Sequence, residues 1–168
     1  MAGLNDDARD ITIVCAETGA QIVDVVDLSP DDIVLNREIP HLRLLMIEDG
    51  VHRRELKNVA SKRQIPLLGY ALEAMRRHPA GLPRYRGKAT YYAAARKYLR
   101  EQKLFPDPPE GADRNYSIGG TRHTYEDRML QAGIPNEERA PLMGHALKTL
   151  RGRPVYGGSA EFRLRALL

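Results

Sequence analysis

The sequence is poor in the largest aromatic residues and in cysteine: it has no tryptophan, two phenylalanines and one cysteine. Because a single cysteine cannot form an intrachain disulfide, we expect the protein to work in a reducing compartment. Cys15 lies in the apolar run ITIVCA, which indicates a small buried residue. No run approaches the roughly 20 apolar residues that a membrane span requires, and no signal peptide is apparent. These absences predict a cytoplasmic or nucleoid-associated protein without a membrane partner.

The sequence also lacks a glycine-rich phosphate loop and any cluster of residues with metal-ligand spacing, so we expect no cofactor and no metal. The sequence has an excess of positive charge, with 26 Lys and Arg against 22 Asp and Glu and a net charge of +4. Acidic residues crowd the first fifty positions, whereas basic residues dominate 52–63, 76–103 and 151–165. This asymmetry indicates a basic face that could bind an anionic partner such as DNA.

Hydrophobic spacing and helix breakers predict a mainly α-helical α+β domain. The predicted helices are a pair over 5–26 broken at Thr18–Gly19, followed by 68–79, 88–103, 119–132, 135–143 and a tail helix over 159–168. Gly133 and Gly144 suit the ends of two of them, whereas the pattern does not account for Pro141 inside 135–143.

Short apolar segments between these helices predict a small antiparallel sheet, which we expect to have three strands. The stretch LSPDDIVL reads as a turn into a strand, and further strand candidates lie at 41–47, 54–58 and 63–67. Turn residues at 48–50 and 60–62 separate these candidates. The hairpin carries Lys57 near its tip.

Three polar residues occupy positions that suit a phosphate site. Arg122 opens a helix, where free backbone N–H groups and the helix dipole favour an anion. His145 follows a helix-ending glycine and so lies on a loop, where binding residues concentrate. Tyr156 lies between a proline and a glycine pair, which favours an accessible side chain. Its hydroxyl, with an ordinary pKa near 10, is a nucleophile only where cations stabilise the phenolate.

In order and spacing these residues resemble the catalytic domain of the tyrosine recombinases, the phage-type integrases. That family runs roughly His-x-x-Arg-His-Thr, a helix, Leu/Met-Gly-His and then the tyrosine; this sequence has RHTYEDRMLQAG, PLMGH and VYG. Upstream, ETGAQIVDVVDLSPDDI is similar to the family's Thr-Gly-x-Arg-x-x-Glu stretch, with Asp24 at the acidic position. LKNVASKRQIPL is similar to its β-hairpin, with Lys57 at the position of the catalytic lysine. The resemblance covers about residues 9 to 157.

The resemblance implies a bacterial or phage-encoded domain, part of a mobile element, that breaks and rejoins double-stranded DNA. Tyr156 would attack a backbone phosphate to form a 3′-phosphotyrosyl link, with Arg122 and His145 stabilising charge. Lys57 would protonate the departing 5′ oxygen. The covalent link keeps the energy of the broken bond, so neither ATP nor a metal is needed.

The resemblance also suggests how the chain is organised. We expect one catalytic domain over 1–168, without the N-terminal DNA-clamping domain that the family usually carries. The tail over 159–168 would pack on a neighbouring protomer and make a homo-oligomer on DNA.

Two positions depart from the family pattern. Gln21 stands where the family has its first arginine, and Gly119 stands where it has a histidine three residues before Arg122. Glutamine has neither the charge nor the planar fork of arginine. Losing one such contact to a transition-state phosphoryl group costs a few kcal/mol, or roughly two to three orders of magnitude in rate. An inactive DNA-binding module derived from a recombinase is therefore the alternative function.

Each of these residues also has a plainer interpretation. Arg122 could form a surface salt bridge, His145 could be an ordinary loop histidine, and Tyr156 could anchor the tail. Lys57 could simply protect a sheet edge from aggregation. Further cations could bind DNA phosphates without reading bases: they are Arg53, Arg54, Lys62, Arg63, Arg96, Lys97 and Arg100. The last three lie on the 88–103 helix, whose charges would also be explained by an amphipathic helix facing water.

Overall fold

A computed structural model describes residues 3–45, 61–108, 110–111 and 116–145 of the chain. Several sequence predictions lie outside these residues: the 54–58 strand, the 159–168 tail helix, and the side chains of Arg53, Arg54, Lys57 and Tyr156.

The described residues confirm the mainly helical α+β fold. Two single-turn 3-10 segments, Pro30–Asp32 and Ile118–Gly120, accompany the helices. Within the described part no helix is long and apolar enough to cross a membrane. The α-helices are α1 Asp6–Thr18, α2 Ile22–Val26, α3 Gly69–Arg77, α4 Thr90–Glu101, α5 Thr121–Gln131 and α6 Asn136–Met143.

The break between α1 and α2 falls where the sequence predicts it. Asn5 begins α1, because its side-chain oxygen accepts the backbone N–H of Ala8 at 3.0 Å. Gly19 ends α1 in the left-handed conformation, with φ of +65°, and its N–H donates to the Cys15 carbonyl at 3.0 Å. Only a residue without Cβ adopts this backbone at no steric cost. The chain therefore turns sharply at residue 19 and begins α2 three residues later.

Among the described residues the sheet has three antiparallel strands, as predicted. Its order is β1 Ile33–Val34, β2 His41–Leu44 and β3 Arg63–Pro66. Leu42 on the central strand pairs with Ile33 on one side and Ile65 on the other. Strand β1 lies at the end of the stretch LSPDDIVL, which the sequence predicts as a turn into a strand, whereas the candidate 54–58 lies outside the described residues.

Helix α1 is the centre of the core. It packs against α2, α3, α4 and α5, and its residues Ile11, Val14 and Cys15 are fully buried. The burial of Cys15 confirms its prediction as a small core residue, and it raises the pKa of the thiol. The inner face of the sheet adds Leu42 and Ile65, so the sheet covers the core that the helices surround.

Helix α1 also buries a charged residue, Asp10, whose side chain is 1% exposed. Arg77 at the end of α3 grips both carboxylate oxygens, at 2.8 and 2.9 Å, and His78 Nε2 lies 2.9 Å away. Arg9 Nε donates a further bond at 2.9 Å. Burial opposes ionisation of Asp10, but these hydrogen bonds outweigh it and hold the pKa of Asp10 far below its ordinary value. The cluster fastens α3 to the central helix.

We predict that Asp10→Asn lowers the free energy of unfolding at pH 7 by about 2–4 kcal/mol, because charge-assisted bonds to a buried carboxylate are lost. The folded-state pKa of Asp10 is lowered, so its contribution is complete above the unfolded value near 3.8. Below that value it decreases by at most about 1.4 kcal/mol per pH unit. Urea unfolding at pH 7 and pH 3 measures both effects.

The matched control is Asp127→Asn, which changes an exposed carboxyl on α5. We expect it to alter stability by less than about 0.5 kcal/mol. Equal stability of Asp10→Asn and the native protein at pH 7 would contradict the role assigned to the cluster.

Candidate functional site

The side chain of Arg122, in the first turn of α5, joins three separate parts of the chain. Its Nη1 donates to the carbonyl oxygen of Gly19 at 2.6 Å, and its Nη2 donates to the carbonyl oxygen of Met143. Nη2 also lies 3.3 Å from Nε2 of His145. The structure therefore brings together the arginine and the histidine that the sequence selects as site residues.

The end of α6 presents His145 to Arg122. Gly144, with φ of +67°, reverses the backbone after Met143. The Gly144 N–H donates to the Pro141 carbonyl at 3.0 Å, and the His145 N–H donates to the Ala140 carbonyl at 2.8 Å. This pair of bonds is the Schellman arrangement that closes a helix at a glycine. Pro141 thus lies in the last turn of α6, where its carbonyl serves the cap.

A second arginine, Arg63 at the start of β3, lies against the same turn. A Cβ added to Gly144 would lie 2.8 Å from its Nη1 and 3.2 Å from its Cζ. The Arg63 side chain is 5% exposed, and its Nη2 donates to Oδ2 of Asp24 at 3.0 Å. Its Nη1 donates to the Ser61 carbonyl at 3.1 Å. The guanidinium groups of Arg122 and Arg63 therefore both lie against the turn at residues 143 and 144.

Burial changes the interpretation of Arg63. The sequence predicts a surface cation that contacts DNA, but the structure places this side chain in the interior, where a carboxylate balances its charge. The reason is strand alternation: Arg63 and Ile65 are the buried positions of β3, whereas Gln64 and Pro66 are partly exposed. The four other described cations of that prediction are exposed: Lys62, Arg96, Lys97 and Arg100. Lys97 lies 3.8 Å from Glu101.

Gln21 lies at the N-cap of α2, close to these charges. Its side chain is exposed, and its backbone N–H donates to Oδ2 of Asp24 at 3.3 Å. The same carboxylate oxygen therefore serves both the helix start and Arg63. No positive charge comes from position 21, where the family pattern has one.

Gly119, the other departure, lies in the 3-10 turn that leads into α5. A Cβ at this position would have the Ser117 Oγ as its nearest neighbour, at 3.7 Å. There is room for a side chain at position 119, so packing does not require glycine here.

Two acidic residues partly offset the positive charge of the two arginines. Oε1 of Glu126 lies 3.8 Å from Nδ1 of His145, and Glu126 is one helical turn after Arg122 on α5. Burial and the neighbouring charge of Arg63 lower the pKa of Arg122, whereas Asp24 and Glu126 act in the opposite direction. Among the described residues, two arginines thus face two carboxylates.

Sequence reasoning missed both carboxylate contacts, although each had a signal. The spacing of four between Arg122 and Glu126 puts them on one face of a helix. The alternation of β3 puts Arg63 on the core face with Ile65, where a buried arginine needs an acidic partner. Within the described residues no group of three or more His, Cys, Asp or Glu could hold a metal ion.

Solved structures of a transposon integrase share this fold. The Tn1549 transposon integrase in complex with circular intermediate DNA is 16% identical, with a TM-score of 0.59 over 95% of this chain and 59% of that chain. A tyrosine-to-phenylalanine variant of it, in complex with transposon right end DNA, is 18% identical, with a TM-score of 0.56 over 94% and 56%. At this identity the likeness shows the fold, and the chain spans less than two thirds of the integrase chains. No protein-family profile and no curated sequence matches it.

We predict that Gly144→Ala destabilises the protein by about 2–3 kcal/mol. Alanine in the left-handed region costs about 1 kcal/mol, and its Cβ would collide with Arg63. Gly133→Ala is the matched control: Gly133 ends α5 with φ of +75°, but a Cβ there has no neighbour within 4 Å. Gly133→Ala should therefore lower stability only by the roughly 1 kcal/mol that alanine loses in the left-handed conformation. Thermal or urea unfolding measures the difference, and equal losses would show that Arg63 does not pack on the turn.

Proposed function

We propose that the chain is a DNA-binding domain of the tyrosine recombinase type that cleaves and rejoins DNA in the integration of a mobile element. One observation carries the proposal: in an integrase fold, Arg122 Nη2 and His145 Nε2 lie 3.3 Å apart. In this contact an N–H of Arg122 donates to Nε2 of His145, and the two side chains are close enough for one phosphate to contact both.

Arg122 is well prepared to bind such an anion. Both acceptors that hold its guanidinium are neutral carbonyls, so the side chain is fixed without losing its charge. An arginine has five N–H donors; among the described residues, two bond these carbonyls and a third donates to Nε2 of His145. The other donors and the charge would stabilise developing charge on phosphoryl oxygens, which is commonly the largest contribution to such catalysis.

The covalent step transfers the phosphorus from the 5′ oxygen to the tyrosine oxygen. The Tyr156 hydroxyl loses its proton to water, its oxygen attacks the phosphorus, the bond from phosphorus to the 5′ oxygen breaks, and the enzyme keeps a 3′-phosphotyrosyl link. Lys57 gives a proton to the departing 5′ oxygen, and attack by a 5′ hydroxyl reverses the sequence. The roles of Tyr156 and Lys57 are part of the proposal and rest on the sequence resemblance.

A second candidate function is a non-catalytic DNA-binding module, favoured by the neutral, exposed Gln21. Without a charge at this position, the pocket has one charge-assisted contact fewer for a transition-state phosphate. DNA binding would survive, since exposed cations such as Lys62, Arg96 and Arg100 do not depend on Gln21. Assembly through the tail and a cytoplasmic location stay predictions.

Tyr156→Phe distinguishes the two functions. The substrate is a labelled pool of nicked DNA duplexes with a randomised centre, in which loss of the short strand beyond the nick traps the covalent product. We predict an SDS-resistant protein–DNA adduct with the native chain and none with Tyr156→Phe, because phenylalanine lacks the nucleophilic oxygen.

The control is Tyr92→Phe, which removes a hydroxyl from an exposed tyrosine on α4 and should leave the adduct unchanged. Duplex binding that weakens with salt, without any adduct from the native chain, would favour the binding module. An adduct that persists in Tyr156→Phe would refute the assignment of the nucleophile.

Gln21→Arg tests whether the missing charge limits the reaction. We predict an adduct rate about 100- to 1000-fold higher, equivalent to a few kcal/mol of transition-state stabilisation. The substitution leaves the backbone N–H that binds Asp24 in place, so the start of α2 should survive. Gln21→Lys adds charge without a planar fork, so its gain should be smaller. Equal rates for glutamine and arginine would show that position 21 does not contact the phosphate.

A further inference from the structure

The ion pair of Arg63 and Asp24 lies next to the site, since Arg63 is against the Gly144 turn, and it has no role in the function proposed above. Its side chains are 5% and 11% exposed, and the Nη2–Oδ2 distance is 3.0 Å. Breaking such a pair from one side leaves an uncompensated buried charge, which is strongly unfavourable. Arg63 Nε is also buried, with no hydrogen-bond partner among the described residues. A buried pair beside a phosphate pocket must influence the anion that the pocket accepts.

The influence is electrostatic, because the pair is close to Arg122. Arg63 and Asp24 both act on the ionisation of Arg122, in opposite directions. In a poorly solvated region, charges several ångströms apart still interact by a kcal/mol or more. An unbalanced Asp24 would repel a phosphate, whereas an unbalanced Arg63 would attract it.

We propose that Arg63 is a positioning residue that cancels the charge of Asp24 and thereby lets a pocket without an arginine at position 21 accept a phosphate. The inference rests on the proposed function. Asp24 is needed for the fold, since its Oδ2 accepts the N–H of Gln21 at the start of α2. Because Gln21 itself is neutral, Arg63 is the cation that balances this carboxylate within the described residues.

Arg63 has a second effect, through Gly144. Its guanidinium lies against the position that a Cβ of residue 144 would occupy, so it packs on the turn that carries the Met143 carbonyl and His145. Since Arg122 donates to that same Met143 carbonyl, a displaced turn would separate Arg122 from His145. Charge cancellation and support of the turn predict different results when Asp24 is changed as well.

The experiment compares Arg63→Gln, Asp24→Asn and the double variant. Asparagine keeps an oxygen that accepts the Gln21 N–H, so folding should survive; circular dichroism verifies it. The first readout is affinity for inorganic phosphate, followed through the ring NMR signals of His145. The second is the rate of adduct formation on the nicked duplex pool.

The expected signs are specific. Arg63→Gln should weaken phosphate binding about tenfold, Asp24→Asn should strengthen it by a similar factor, and the double variant should return to within about threefold of the native protein. Arg63→Lys keeps the charge and should also stay within about threefold. A purely structural role would instead leave the double variant as weak as Arg63→Gln and would give Asp24→Asn no gain; that pattern overturns the inference.

The two readouts separate this inference from the function on which it rests. If the phosphate affinities follow the predicted order but no variant forms an adduct, the charge balance stands and the catalytic proposal fails. If the native chain forms an adduct that requires Tyr156, but Asp24→Asn leaves the phosphate affinity unchanged, the proposed role of Arg63 is refuted and the proposed function is not. If phosphate does not bind the native chain at millimolar concentration, Arg63 has no such role.

Discussion

The site depends on two hydrogen bonds that the Arg122 guanidinium donates to backbone carbonyl oxygens. The two acceptors are 103 and 21 residues away along the chain, in the turn after α1 and at the end of α6. Carbonyl oxygens orient an arginine without neutralising it, whereas a carboxylate does both. Arg122 is held in the first way and Arg63 in the second. This difference decides which of the two keeps its charge for an anion.

Most of the helical framework could be predicted from the sequence, because local chemistry sets helix ends. Gly19, Gly133 and Gly144 all have positive φ, and each lies where the sequence pattern ends a helix. The sheet was harder to predict. A two-residue strand such as Ile33–Val34 has no alternation to detect, and its pairing with Leu42 depends on a tertiary contact. The stretch LSPDDIVL and the candidates 41–47 and 63–67 correspond to the three described strands, and 54–58 stays a prediction.

In the site, too, the residues marked by local sequence could be predicted, whereas the pairs formed by tertiary contact could not. Arg122 and His145 stand out because each lies at a helix terminus, and the structure places them side by side. The Arg63–Asp24 pair joins positions 39 residues apart, and no motif spacing predicts it. Its discovery required knowing which face of β3 is buried. Lys57 and Tyr156 stay predictions, since they lie outside the described residues.

The two departures from the family pattern fall at positions where the fold imposes little. Gln21 is exposed, and the contact that starts α2 uses its backbone N–H, which every residue except proline provides. A Cβ at Gly119 would make only an ordinary contact, with the Ser117 Oγ at 3.7 Å. At Gly19 and Gly144, by contrast, φ is positive and a Cβ would collide with Tyr125 or Arg63, and both positions are glycine. The chain therefore keeps glycine where φ is positive and a Cβ would collide, and its two departures from the family pattern lie where neither condition applies. It follows that neither departure conflicts with the contacts that hold Arg122 and His145 together.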